Sequence, residues 1–181
     1  MREKNDRTGG LLMKTKQITA TALMAALVFT GTFFFKIPTP MNGYVHLGDC
    51  MIILAVVLIG PLQGAFAGAI GAGLSDLLGG YAIYVLPTVI IKSLLAILVG
   101  LFAYRILKGR KYGWLVGAIV GSIVHIFLYT LTAAILYGFY GAIADLPLNI
   151  VQSVCGVVCS AVLIILFEKS HVMERLKRLS H

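Results

Sequence analysis

Residues 49–78 read DCMIILAVVLIGPLQGAFAGAIGAGLSDLL. An apolar run from Asp49 to Ile59 is broken at Gly60-Pro61, and a third run of the chain follows from Leu62 to Leu78. Gly60, Gly64, Gly68 and Ala72 recur every four residues. Small residues at that spacing let helices approach closely in lipid. The Gly68–Gly73 stretch is no phosphate loop, because it lies inside an apolar helix with no lysine after it.

Apolar runs continue on both sides of this stretch. Upstream, Ile18 to Phe35 is long enough to span a bilayer, shows no convincing cleavage site and reads as an uncleaved helix. Two prolines, Pro38 and Pro40, end it. Downstream, helices are expected from Pro87 to Ile106, from Tyr112 to Tyr137 and from Pro147 to Phe167, with a loop over 138–145. The fold expected is an all-α integral membrane protein of six transmembrane helices. It divides into a flexible basic N-terminus (1–16), a six-helix membrane domain (17–168) and a short charged tail (169–181).

Composition agrees. Of 181 residues 59% are hydrophobic and 12% charged, against about 25% charged in soluble domains. A soluble enzyme and a disordered chain are excluded. Six spans of roughly 20 residues use about 120 residues, which leaves no room for a soluble domain. The formal net charge is +8, and its distribution gives the orientation. Thirteen of the fifteen basic residues fall on the side of the termini: five at the N-terminus, Arg105, Lys108, Arg110, Lys111, and four in the tail. By the positive-inside rule both termini are cytoplasmic. The expected location is the bacterial plasma membrane, crossed several times.

Ionisable groups inside a membrane are costly, so each is a candidate for function. Lys92 lies within helix four, where it either pairs with Asp49 or Asp76 or meets a ligand. His125 and Tyr129 share a face of helix five, as a packed pair or as ligand contacts. Asn149 and Gln152 lie three apart near the outer end of helix six, offering amide donors and acceptors to a ligand or to a neighbouring helix. The first outer loop carries Asn42, Tyr44, His46 and Asp49, and the third carries Tyr81 and Tyr84. Aromatic walls with sparse hydrogen-bonding groups suit a small, flat, polar ligand, although an interfacial aromatic belt also enriches tyrosine. Cys155 and Cys159, four apart in an apolar run, read as small residues at a packed interface. There is no P-loop, no H-E-x-x-H, no G-x-S-x-G and no metal-ligand spacing. No catalytic residue, metal or cofactor is expected.

Several segments together resemble a known family: Ala22-Leu23-Met24-Ala25-Ala26, Gly43-Tyr44-Val45-His46-Leu47-Gly48-Asp49, Gly60-Pro61-Leu62-Gln63-Gly64-Ala65, Gly71-Ala72-Gly73-Leu74-Ser75-Asp76 and Pro87-Thr88-Val89-Ile90-Ile91-Lys92. The chain is similar to the substrate-binding S components of energy-coupling factor (ECF) vitamin transporters, nearest the pyridoxine or hydroxymethylpyrimidine subgroup. The resemblance implies six helices and one vitamin bound near the outer face. It also implies a membrane scaffold subunit and two ATPases as partners, which consume the ATP, and inward delivery by toppling of the whole subunit. The family's A-x-x-x-A docking motif is matched by Ala22 and Ala26. Rival expectations are a stand-alone channel or exporter, a small membrane enzyme, or the same family with riboflavin or another vitamin as ligand.

Overall fold

The computed structural model describes residues 15–38 and 44–170. Helix α1 (Thr15–Phe33) leads into a hairpin of two short antiparallel strands, β1 (Ile37–Pro38) and β2 (Tyr44–Val45). Ile37 pairs with Val45 and Pro38 with Tyr44. Then come α2 (Gly48–Ile59), α3 (Pro61–Leu78), a 3₁₀ turn (Ala82–Tyr84), α4 (Val85–Leu101) closing in a π-helical turn (Phe102–Ile106), and α5 (Gly113–Lys169). Pro61 occupies the first turn of α3, where its missing N–H would have had no partner in any case.

Helix α5 is broken at one residue, Gly138, with φ 76° and ψ −175°. A side chain is strained at that φ, and glycine is not. His125 meets Ser153 and Gln152 across the break, so the two arms, residues 113–137 and 139–169, run back antiparallel. The loop expected over 138–145 is therefore a correction: residues 139–145 are helical. The apolar sequence Phe139 to Ala144 forms helix readily, and a single glycine makes the reversal. Chain direction alternates through the helices. The hairpin, the start of α2, the end of α3, the start of α4 and the Gly138 break consequently share one end, and residues 15 and 169 lie at the other.

The core is built from small and branched side chains. Val28, Ile52, Ile53, Ala67, Ala72, Ala96, Val99 and Ala118 are all fully or almost fully buried. Close helix contact depends on missing side chains. At Gly71 a Cβ would collide with the Ala25 carbonyl and the Val28 side chain of α1. The outside is apolar too: Leu23, Phe66, Ile70, Leu86, Ile90, Phe127, Ile135 and Phe139 are exposed. Contiguous exposed apolar surface on this scale does not suit water. Among the described residues two helical stretches, Ala82–Ile106 and Gly113–Lys169, are long and apolar enough to cross a membrane, and Gly48–Ile59 is apolar but short. Cys155 is exposed on this outer surface, and Cys159 is half-buried near Cys50.

Replacing Gly71 by valine should force α1 away from α3. The expected loss is about 1–3 kcal/mol, read as a lower melting temperature of the detergent-purified protein. Gly71→Ala, which adds only the Cβ, should lose less.

Candidate functional site

A buried polar cluster sits near the hairpin end. Lys92, on α4, is completely buried. Its Nζ lies 2.6 Å from Asp49 Oδ1, in the first turn of α2, and 2.8 Å from His125 Nε2, on the first arm of α5. His125 Nδ1 is 3.0 Å from Ser153 Oγ on the second arm. Because Lys92 donates to Nε2, the ring proton belongs on Nδ1, pointing at Ser153. Gln152 closes the cluster. Its Nε2 donates to Asp49 Oδ2 at 2.9 Å, and its Oε1 accepts from the backbone N–H of His46 at 3.2 Å. The Tyr129 ring lies under the ammonium at 5.0 Å, and its hydroxyl donates to Thr88 Oγ1 at 2.9 Å. One lysine thus ties α2, α4 and both arms of α5 together.

Beside this cluster is a small cavity of about 40 Å³. Its walls include Tyr44, His46, Tyr84, Tyr129, Asn149 and Gln152, with Asp76, Thr88 and Asp145 between them. Asp76, at the end of α3, is 2% exposed. Its Oδ1 accepts a short hydrogen bond from the Tyr44 hydroxyl, while its Oδ2 has no hydrogen-bond partner. Burial, and then the neighbouring Asp76 charge, push the Tyr44 phenol above its usual range, so it serves as a donor. Burial, followed by the Lys92 charge, holds the His46 imidazole down to about 3. His46 is therefore neutral, and its Nδ1 accepts from the Gly48 N–H at 3.0 Å.

The hairpin covers this cavity and is pinned by Lys36. The Lys36 Nζ donates to the Ser75 carbonyl at 3.1 Å and sits over the rings of Phe33, Tyr44 and Tyr81 at 4.5, 4.4 and 5.2 Å. Desolvation lowers its pKa, partly offset by Asp76.

Of the residues expected at a site, Tyr44, His46, Tyr84, Tyr129, Asn149 and Gln152 line one cavity. Asp49, Lys92 and His125 do not line it: they are bonded to one another behind Gln152 and Tyr129. Tyr81 packs on Tyr44 at 4.6 Å, at the mouth. Asn42 lies outside the described residues. The choice left open for Lys92 falls on Asp49, while Asp76 bonds Tyr44. Thr88 and Asp145 are lining residues that sequence reasoning missed, and Asp76, weighed there as a partner for Lys92, lines the cavity as well. Thr88 precedes Lys92 by four residues, so it shares that face of the helix, and this spacing was the available signal. On the far side of the bundle Ala22 and Ala26 are exposed on α1. They border a shallow apolar groove against Phe66, Ile70 and Leu74 of α3.

Residues 12–169 match the family model described as "ECF-type riboflavin transporter, S component". A "Thiamine precursor transporter HmpT" of Lactococcus lactis subsp. cremoris is 31% identical over 165 residues, covering 90% of this chain and 94% of that protein. An uncharacterised protein of Pyrococcus woesei is 42% identical over 130 residues, covering 70% of this chain and 84% of that one. The chain belongs to the S components of ECF transporters. It is an integral membrane protein and a transport subunit, not an enzyme.

Replacing Lys92 by methionine should strand the Asp49 carboxylate without its cation. Breaking a buried pair in this way costs about 3–5 kcal/mol, and the variant should show a large fall in melting temperature. Adding Asp49→Asn should recover part of that loss. A double-mutant cycle in detergent measures the coupling, and additive effects would contradict the pairing.

Proposed function

We propose that this chain captures a single-ring, water-soluble vitamin precursor, of the pyrimidine type from which thiamine is built, in the cavity beneath the hairpin. The size and chemistry of that cavity carry this reading. Its 40 Å³ has room for only a few waters, since about 10–15 Å³ of such space holds one. A single substituted ring needs less enlargement of this space than the three fused rings and polyol chain of riboflavin. Tyr84 and Tyr129 offer faces for stacking, and Asn149, Gln152, Thr88 and His46 offer hydrogen bonds. The relative matched over 90% of this chain is named for a thiamine precursor. Pyridoxine, also a single ring, is the nearest competitor.

In this reading six helical spans, counting both arms of α5, cross the membrane with both termini cytoplasmic. The charge pattern supports this. Lys16, Arg105, Lys108, Arg110, Lys111 and Lys169 lie at the end of the termini, while Lys36 is at the other. Ala22 and Ala26 provide a flat strip on which a scaffold subunit docks, and two ATPases bound to that scaffold supply the energy. The subunit topples to deliver its ligand. The internally paired Lys92–Asp49 cluster suits that motion, because an uncompensated charge is expensive within a bilayer.

Mass spectrometry of small molecules released from the denatured, detergent-purified protein tests the proposal. A thiamine-precursor pyrimidine at close to one per chain is the expected result. Riboflavin or pyridoxine at that stoichiometry would overturn the ligand. An empty protein that also ignores a vitamin panel in calorimetry would overturn the binding-subunit reading.

A further inference from the structure

Resting on the substrate reading above, we infer that Asp76 selects the ligand, by accepting an N–H from an amino group carried on the heterocycle. The Asp76 carboxylate lines the cavity and is almost fully buried. Tyr44 occupies Oδ1, the Thr88 hydroxyl lies beside the carboxylate, and Oδ2 still lacks a well-formed hydrogen bond. A buried acceptor in that state carries a desolvation penalty that a donor arriving from the ligand removes. Neither nearby lysine supplies that donor. Lys92 is held by Asp49 and His125, and Lys36 by the Ser75 carbonyl and three aromatic rings. A second carboxylate, Asp145, lines the same cavity, so the lining favours a ligand rich in donors or positively charged over one rich in acceptors.

This narrows the chemical class. A pyrimidine bearing an exocyclic amino group beside a ring nitrogen presents N–H donors along one edge. When the ring nitrogen is protonated that edge is also cationic, and it can meet one carboxylate through two hydrogen bonds. The same ring without the amino group presents only acceptor nitrogens there, which face a carboxylate unfavourably. The flavin ring places its single edge N–H between two carbonyl oxygens, both repelled by the same carboxylate. Discrimination on this basis is strong, because a site built around a hydrogen bond rejects the analogue that lacks it.

The test is titration calorimetry on the full chain in detergent, using 4-amino-5-hydroxymethyl-2-methylpyrimidine, its analogue lacking the 4-amino group, and riboflavin. In the unaltered protein the amino compound should bind about 100-fold more tightly than the deamino compound, or better. Asp76→Asn should weaken the amino compound by about 100-fold and bring the two pyrimidines within about tenfold of each other, since a carboxamide donates as well as accepts. Equal binding of the two pyrimidines to the unaltered protein would overturn the inference without recourse to any variant. So would a preference that survives Asp76→Asn, or one that disappears in Asp145→Asn instead. Binding of riboflavin alone would overturn the substrate reading beneath it, an outcome distinct from equal binding of the pyrimidines.

Discussion

An ammonium group with no access to solvent constrains everything around it. Lys92 is surrounded by helices that are otherwise apolar, and a buried charge of that kind survives only when paired and hydrogen-bonded. Its partners must come from several elements, because its own helix offers no acidic group in α4. Asp49 comes from α2, His125 from the first arm of α5, and Gln152 and Ser153 complete the shell from the second. The pairing therefore fixes how three segments, distant in sequence, meet at one depth. Asp49 sits in the first turn of α2, where the helix dipole also favours a carboxylate. Gly156 of the second arm packs against the Asp49 Cβ, so the arm comes close enough for Gln152 to reach the carboxylate.

The division of labour between cluster and cavity follows. The cluster groups spend their hydrogen bonds on one another and hold the walls in position. Asp76, by contrast, lines the cavity with one oxygen short of a well-formed hydrogen bond. Both carboxylates are buried near the same end of the bundle, and their roles differ because of their partners. Asp49 has a lysine ammonium and a glutamine amide, while Asp76 has only neutral hydroxyls, those of Tyr44 and Thr88.

Much of this was legible in the residues. The apolar runs, the Gly60-Pro61 break and the asymmetry of basic residues mark the helices, and buried ionisable groups mark the important end. Spacing within a helix also paired His125 with Tyr129 and Asn149 with Gln152. What the residues do not carry is which aspartate faces Lys92. Asp49 and Asp76 are each near an outer helix end, and the choice depends on how α2 and α3 rotate about their axes, a property of packing between helices. The reversal at Gly138 was obscured for a related reason. Eight residues with two glycines, a tyrosine and an aspartate resemble a loop in composition, yet only Gly138 leaves the helical conformation, and Gly141 and Ala142 are buried while Phe139 and Ile143 face outward. Asp145 was read as a loop edge on the same grounds, and so its place in the cavity wall was lost.

The cavity's boundaries are held by contacts of unequal strength. Three sides are helices locked by glycine and alanine contacts and by the Lys92 cluster, so widening them means breaking buried charge pairs. The fourth is a hairpin of two residues per strand, held by Lys36 above three aromatic rings and by the Tyr44–Asp76 hydrogen bond. Cation–π contacts at partly exposed sites are worth about 0.5–1 kcal/mol each, well below the cost of separating the buried ion pair. The hairpin is thus the most weakly held of these walls, and it carries Tyr44, whose hydroxyl bonds Asp76.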